Sequence, residues 1–260
     1  MKTGKIFILA AFLTAATLGT KAVIGAKLLA KINNEDKGFA VVELFTSEGC
    51  SSCPPADALV AKIEKEDKDM PVYILAYHVD YWNRLGWKDA FSSADYSKRQ
   101  NEYAGYLHLQ QIYTPQIVVN GKTEFVGSEE GSLRNAIKTN LQTASPAQLS
   151  LNVSSARQGQ ASLKYSTGGT DKNTVLLVAV LQKNAQTKVE RGENGGRTLS
   201  HVQIVRSLQR VPLNAKSGIV NVSLPNGYDA SGWEIVGILQ NTSTGAITGA
   251  AKAQGTAGNI

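Results

Sequence analysis

Cysteine is nearly absent from this chain. Of its 260 residues only Cys50 and Cys53 carry thiols, so whatever the sulfurs do is done by one pair and no framework of several bridges exists. Long charge runs of one sign are missing as well. The net charge is +6, but the lysines are dispersed and no basic stretch alternates with aromatics, which leaves solvated surface charge and no nucleic-acid-binding pattern. No long repeat, low-complexity segment, Ser–His–acid set or paired-carboxylate site stands out. The Gly-rich stretch Arg191–Arg197 lacks the spacing of a phosphate-cradling turn. His201 has no second histidine at ligand spacing and reads as structural. No metal site and no cofactor are expected.

Long apolar runs are also lacking. Ile6–Leu18 is too short to span a bilayer comfortably, and with Lys2 and Lys5 ahead of it the layout is that of a secretory signal cleaved between Gly19 and Ala30. Residues 1–30 are therefore assigned to a signal peptide, with an uncleaved N-terminal anchor as the alternative and as the one membrane attachment. Export puts the protein in the periplasm or outside the cell, where a cysteine pair meets oxidising conditions.

What is present is enough apolar material, 42% of residues, for packed cores. Near Ser145-Pro146 the texture changes. Upstream, strands (Val41–Phe45, Pro71–Tyr77, Gln116–Val119, Thr123–Val126) alternate with helices (Ala56–Glu66, about Ser93–Leu109, Gly131–Leu141), which implies a partly parallel sheet flanked by helices over 38–145. Downstream, short alternating strands separated by Gly, Asn and Asp predict a separate antiparallel β-sandwich over 147–252, with Gly249–Ile260 fraying. A Gly-rich loop with two arginines and a glutamate fills no core, so Arg191–Arg197 is expected at an interface or lid near the cysteine edge.

The cysteines fall between the first strand and the first helix, in Glu48-Gly49-Cys50-Ser51-Ser52-Cys53-Pro54-Pro55. Prolines suit a first helical turn, where missing N–H groups cost little. The partial positive charge of a helix N-terminus stabilises a thiolate, which makes Cys50, expected to be partly exposed, the nucleophile and a more buried Cys53 the resolving thiol. The alternatives are a structural bridge, which would remove only about 2 kcal/mol of chain entropy from so small a loop, and a metal–thiolate site. His78 and Asp80, closing the second strand, open on the same edge. His78 either tunes the thiolate, adds a ligand to a copper(I) or zinc site, or is a structural hydrogen-bonded residue.

Tyr113-Thr114-Pro115-Gln116, the strand after it, the turn Asn120-Gly121, a second strand and Val126-Gly127-Ser128 before a helix resemble the second half of a thioredoxin fold. The resemblance implies that Pro115 is cis and that the Thr114 backbone pairs with an extended substrate. It also implies that Glu43 is a buried general base for Cys53. The longer run Glu43–Asp57, with Tyr77–Trp82 and Leu85–Asp89, is similar to a family of exported bacterial thioredoxin-like proteins with no assigned function. The expected fold is thus an α/β thioredoxin-like domain followed by an antiparallel β-sandwich domain. The expected activity is exported thiol–disulfide exchange on protein thiols or disulfides, with Trp82, beside Tyr81 and Trp87, walling a substrate groove. The alternative is a non-enzymatic binding protein, such as a copper(I)–thiolate carrier. No tryptophan precedes Cys50 and the intervening pair is Ser-Ser, which leaves oxidase, reductase and isomerase open.

Overall fold

The computed structural model describes residues 38–255 apart from 158; the expected signal or anchor, residues 1–30, lies outside them. Strand β1 (Ala40–Thr46) leads through the cysteine loop into helix α1 (Pro54–Glu66), and β2 (Val72–His78) follows. After a 3₁₀ turn (Asn83–Leu85) come α2 (Ala94–Tyr106), the hairpin β3 (Gln116–Val119) and β4 (Thr123–Val126), and α3 (Glu130–Gln142). The rest is strand: β5 (Gln148–Arg157), β6 (Gln160–Gly168), β7 (Thr174–Lys188), β8 (Thr198–Pro212), β9 (Ser217–Ser223), β10 (Trp233–Asn241) and β11 (Ile247–Lys252).

Local chemistry accounts for several boundaries. Helix α1 opens on its two prolines, and Ser93 caps α2 by accepting the Asp95 N–H at 3.2 Å. The β3–β4 turn needs two left-handed residues and has them in Asn120 (φ 48°) and Gly121 (φ 64°). Asn120 does more than turn the chain. Its side chain accepts the Val41 N–H at 2.6 Å and donates to the Phe39 carbonyl at 3.0 Å, tying the hairpin to β1.

The expected fold class is overturned. Among the described residues there are three α-helices against eleven strands, and the upstream strands do not form a sheet of their own. One mixed sheet runs β11-β10-β7-β8-β2-β1-β3-β4, with β5-β6-β9 as a second, three-stranded sheet. The chain is therefore not an α/β thioredoxin-like domain followed by a sandwich. The physical reason is the seam between β2 and β8, which pair in parallel at Ala76 and Ile204 and make the β7–β8 hairpin a continuation of the first sheet. Residues 38–255 accordingly fall within one compact unit.

The cores follow from strand alternation. On one face Val41, Phe45, Leu75 and Tyr77 join Leu177, Ala179, Val205 and Ile238 in a continuous apolar layer under Tyr96 and Tyr103 of α2. On the other, Ala40, Val42 and Leu44 pack beneath α1 and α3, while Leu176, Val178 and Val180 meet the three-stranded sheet. β7 is thus buried on both faces, which its unbroken apolar run Val175–Leu181 allows. β11 includes Gly249–Lys252, which were expected to fray.

Across the first face runs a buried polar network. Glu43 takes a two-pronged ion pair from Arg99, Nε to Oε1 at 2.7 Å and Nη2 to Oε2 at 3.0 Å, and also accepts the Tyr103 hydroxyl. Arg99 reaches on to Gln240 of β10 at 3.2 Å, so one guanidinium joins β1, α2 and β10. Replacing Arg99 by Met would strand the Glu43 carboxylate in the core. We expect Arg99→Met to destabilise the protein by about 3–5 kcal/mol in urea unfolding; a loss below about 1 kcal/mol would show that the network is not needed for stability.

Candidate functional site

Cys50 and Cys53 are bonded to each other at the start of α1. The loop is drawn tight by backbone hydrogen bonds from Cys50 N–H to the Ser47 carbonyl and from Cys53 N–H to the Cys50 carbonyl, both 3.2 Å. Ser51 and Ser52 are exposed, but neither cysteine is. Both have 0% relative accessibility, so the partial exposure expected of Cys50 is not found. The cover is the Gly-rich loop. Buried Asn194 donates from Nδ2 to the Glu48 and Cys50 carbonyls, each at 2.9 Å, and Glu193 Oε2 accepts the Ser51 N–H at 3.0 Å. Arg197 holds Asn194 in place through Oδ1 at 2.7 Å. The loop therefore lies where its composition suggested.

Thr114, Pro115 and Trp82 converge on the same place. The Thr114–Pro115 bond is cis. Trp82 Nε1 donates to Thr114 Oγ1 at 2.8 Å, and the Trp82 Cβ would stand 3.1 Å from a Cβ built on Gly49, the residue before Cys50. A Cβ on Gly127 would lie 3.0 Å from Pro115 and 3.1 Å from Ala56 of α1. With glycine at 127 the proline and the helix start close in without crowding; a methyl there would force its neighbours to give by a few tenths of an ångström. Trp87 does not stack with Trp82; its Nε1 donates to Glu48 Oε2 at 2.7 Å.

Glu43 is elsewhere. It lies on the α2 face of β1, opposite α1, and its oxygens are occupied by Arg99 and Tyr103. It does not serve Cys53. The acids near the disulfide are others, and sequence reading passed over them. Asp57, 6% exposed, stands one helical turn after Cys53, and its Oδ2 accepts the Thr46 hydroxyl at 3.2 Å. Glu48, fully buried, precedes Cys50 by two residues. Between the two carboxylates stands His201 of β8, Nε2 to Glu48 at 3.5 Å and Nδ1 to Asp57 at 3.9 Å. These are ion-pair separations rather than hydrogen bonds.

Beside them, His78 Nδ1 meets Asp89 Oδ2 at 2.7 Å, and the two imidazole rings are 4.7 Å apart, edge to face. The Cys53-to-Asp57 spacing of one helical turn was a legible signal for the acid. For His201 no local signal existed, because a long-range strand pairing delivers it.

The electrostatics favour charge. Burial alone would lower His201, but Asp57 and Glu48 outweigh it and push the imidazole up to about 9. Burial would raise Asp89, but the His78 ring and the N–H groups of Glu48 and Phe91 hold its carboxyl below the usual range. Four buried atoms here, Glu48 Oε1, His78 Nε2 and both His201 nitrogens, make no hydrogen bond. Among the described residues no group of three or more His, Cys, Asp and Glu is placed to hold a metal ion, and no helix is long and apolar enough to cross a membrane.

Residues 41–240 match a family model described as a protein of unknown function, DUF1223. The chain belongs to that family. The expectation of a family without assigned function holds at that level, and membership brings no activity with it. The crystal structure of a protein from Agrobacterium tumefaciens is similar, 26% identical with a TM-score of 0.65, over 85% of this chain and 96% of that one. A domain of the outer membrane lipoprotein Omp28 from Porphyromonas gingivalis, 12% identical with a TM-score of 0.27 over 42% of this chain and 94% of that one, is too different to inform the fold. No curated protein matches.

Two outcomes follow for this family member. The folded His201 stands at about 9 against an ordinary 6.5, so its contribution to stability is complete below the ordinary value and is lost as pH rises through the folded one. His201→Gln should therefore lose on the order of 3 kcal/mol more at about pH 6 than at about pH 10 by urea unfolding; a pH-independent loss would contradict the charge assignment. Asn194→Ala removes the cover's two hydrogen bonds, and a small thiol should then reduce the disulfide roughly tenfold faster. An unchanged rate would mean that the loop does not guard the sulfurs.

Proposed function

We propose that the protein is an exported thiol–disulfide exchange protein with Cys50 as the nucleophile and Cys53 as the resolving thiol. The observation that carries this reading is the packing of the Thr114–Pro115 pair against the helix start that bears the disulfide, through Gly127 and Ala56. Among the described residues neither backbone group of Thr114 is engaged in a hydrogen bond. Both are free to pair with an extended guest chain beside the sulfurs. A static bridge has no use for such a neighbour, and the small loop it closes contributes little stability.

In the reduced protein the Cys50 thiolate attacks one sulfur of a partner disulfide and expels the other as a thiolate. Cys53 then attacks Cys50, the second partner sulfur leaves, and the bridge is restored with two electrons passed to the partner. Run backwards, the same steps oxidise a partner dithiol. The partners are exported proteins, in keeping with the charged and apolar leader of the sequence.

Cys53→Ser, expressed in its native host, should accumulate mixed disulfides through Cys50 that dissolve on reduction and are absent from Cys50→Ser. A midpoint potential well below about −300 mV together with no trapped partner would mark the bridge as structural and end this reading. Repeating the titration with copper(I) tests metal capture by the reduced pair, which would appear as metal-dependent protection of both thiols.

A further inference from the structure

A resolving thiol buried in protein needs somewhere to send its proton. Cys53 has 0% accessibility and caps α1, and the Asp57 N–H donates to its carbonyl at 3.1 Å in the first helical turn. Helical side chains tilt toward the N-terminus, so residues four apart lie one above the other and the Asp57 carboxylate is carried toward Cys53. That carboxylate is nearly buried, is anchored on one oxygen by Thr46, and has His201 3.9 Å from the other. Glu43, another buried acid of the first half, faces away and is paired with Arg99.

We propose that Asp57 accepts the Cys53 proton during resolution and that His201, delivered by β8, is the positioning residue that holds the Asp57 carboxylate in place. This rests on the exchange reading above. In the step, the S–H bond of Cys53 breaks and its proton passes to Asp57. The Cys53 sulfur forms a bond to Cys50 while the bond from Cys50 to the partner sulfur breaks, and the electron pair leaves on the partner thiolate. Asp57 then returns the proton to solvent or to that thiolate. The cationic His201 offsets the negative charge that would otherwise gather between Glu48 and Asp57. The other charged or titratable groups around the pair are His78 of β2, Asp89 after the 3₁₀ turn, and Arg206 of β8 stacked on Phe91.

The test separates the two sulfurs. Reduced protein is mixed with an aromatic disulfide that releases a coloured thiolate, so that the first release reports attack by Cys50 and the second reports resolution by Cys53. In Asp57→Asn the first release should keep its wild-type rate at neutral pH while the second slows about 100-fold. The second should recover as pH rises through about 8.5, where an unassisted thiol ionises. Asp57→Glu should restore part of the rate. His201→Gln should slow the second release less and displace its pH profile.

Equal slowing of both releases, or an unchanged second release across the pH range, would overturn the proposal and leave exchange itself standing. No second release from the wild type would instead overturn the exchange reading. Near-ultraviolet circular dichroism checks folding. If Asp57→Asn does not fold, His201→Gln decides, and a wild-type second release from it refutes the proposal.

Discussion

Everything distinctive about this molecule depends on the seam where β8 pairs in parallel with β2. Without it the cysteine loop would be an ordinary strand-to-helix turn, open to solvent. With it, β8 lies along the flank of α1, where Gln203 donates to Glu64 at 3.2 Å. It brings His201 between two carboxylates, and the chain just upstream supplies Asn194 to the carbonyls flanking the first cysteine. The seam is short, a single register pair, and beside it Gln203 adopts a left-handed backbone (φ 51°) that few non-glycine residues take. A conformation of that kind persists only where its surroundings over-determine it. Here the surroundings are α1 on one side and β7 on the other.

The polar cluster beneath the disulfide is expensive by the usual accounting. Burying a carboxylate or an imidazolium without full hydrogen bonding costs several kcal/mol per group, and here Glu48 Oε1 and three imidazole nitrogens are left without a partner. Mutual attraction recovers part of this, since His201 serves two acids at once and His78 is bonded to Asp89. Contrast Glu43 and Arg99 on the opposite face, where the geometry is two-pronged and both carboxylate oxygens are bonded. One buried ionic group is built to hold elements together, while the other stays under-satisfied beside the disulfide.

Much of the local structure was legible from the residues. The strands Gln116–Val119 and Thr123–Val126 and the three helices stand within a few residues of where pattern and capping place them, and the cysteine loop sits at the strand-to-helix turn as read. The architecture was not legible. The apolar run of β7 fits a sandwich core equally well, and nothing in the sequence of β8 announces that it joins a parallel strand more than a hundred residues earlier. The composition of Arg191–Arg197 did reveal its place, because glycines and charges with no core to fill belong at a contact. Glu43 misled for a related reason: an acid in a buried strand must have a partner, but sequence alone does not say on which face of the sheet the partner stands.

The loop over the disulfide also bears on discrimination among thiols. Asn194 closes the site with an amide donating to two main-chain carbonyls, and any extended polypeptide carries amide donors of its own. A guest strand that supplies them exchanges like for like as it displaces Asn194, so opening costs it little. Under the exchange reading proposed above, a small thiol would bring nothing to the vacated carbonyls and would react only in the fraction of time the loop stood open, its apparent affinity reduced by that fraction. On that reading the closure would act as a filter for backbone, favouring a protein over a metabolite before any sulfur is touched.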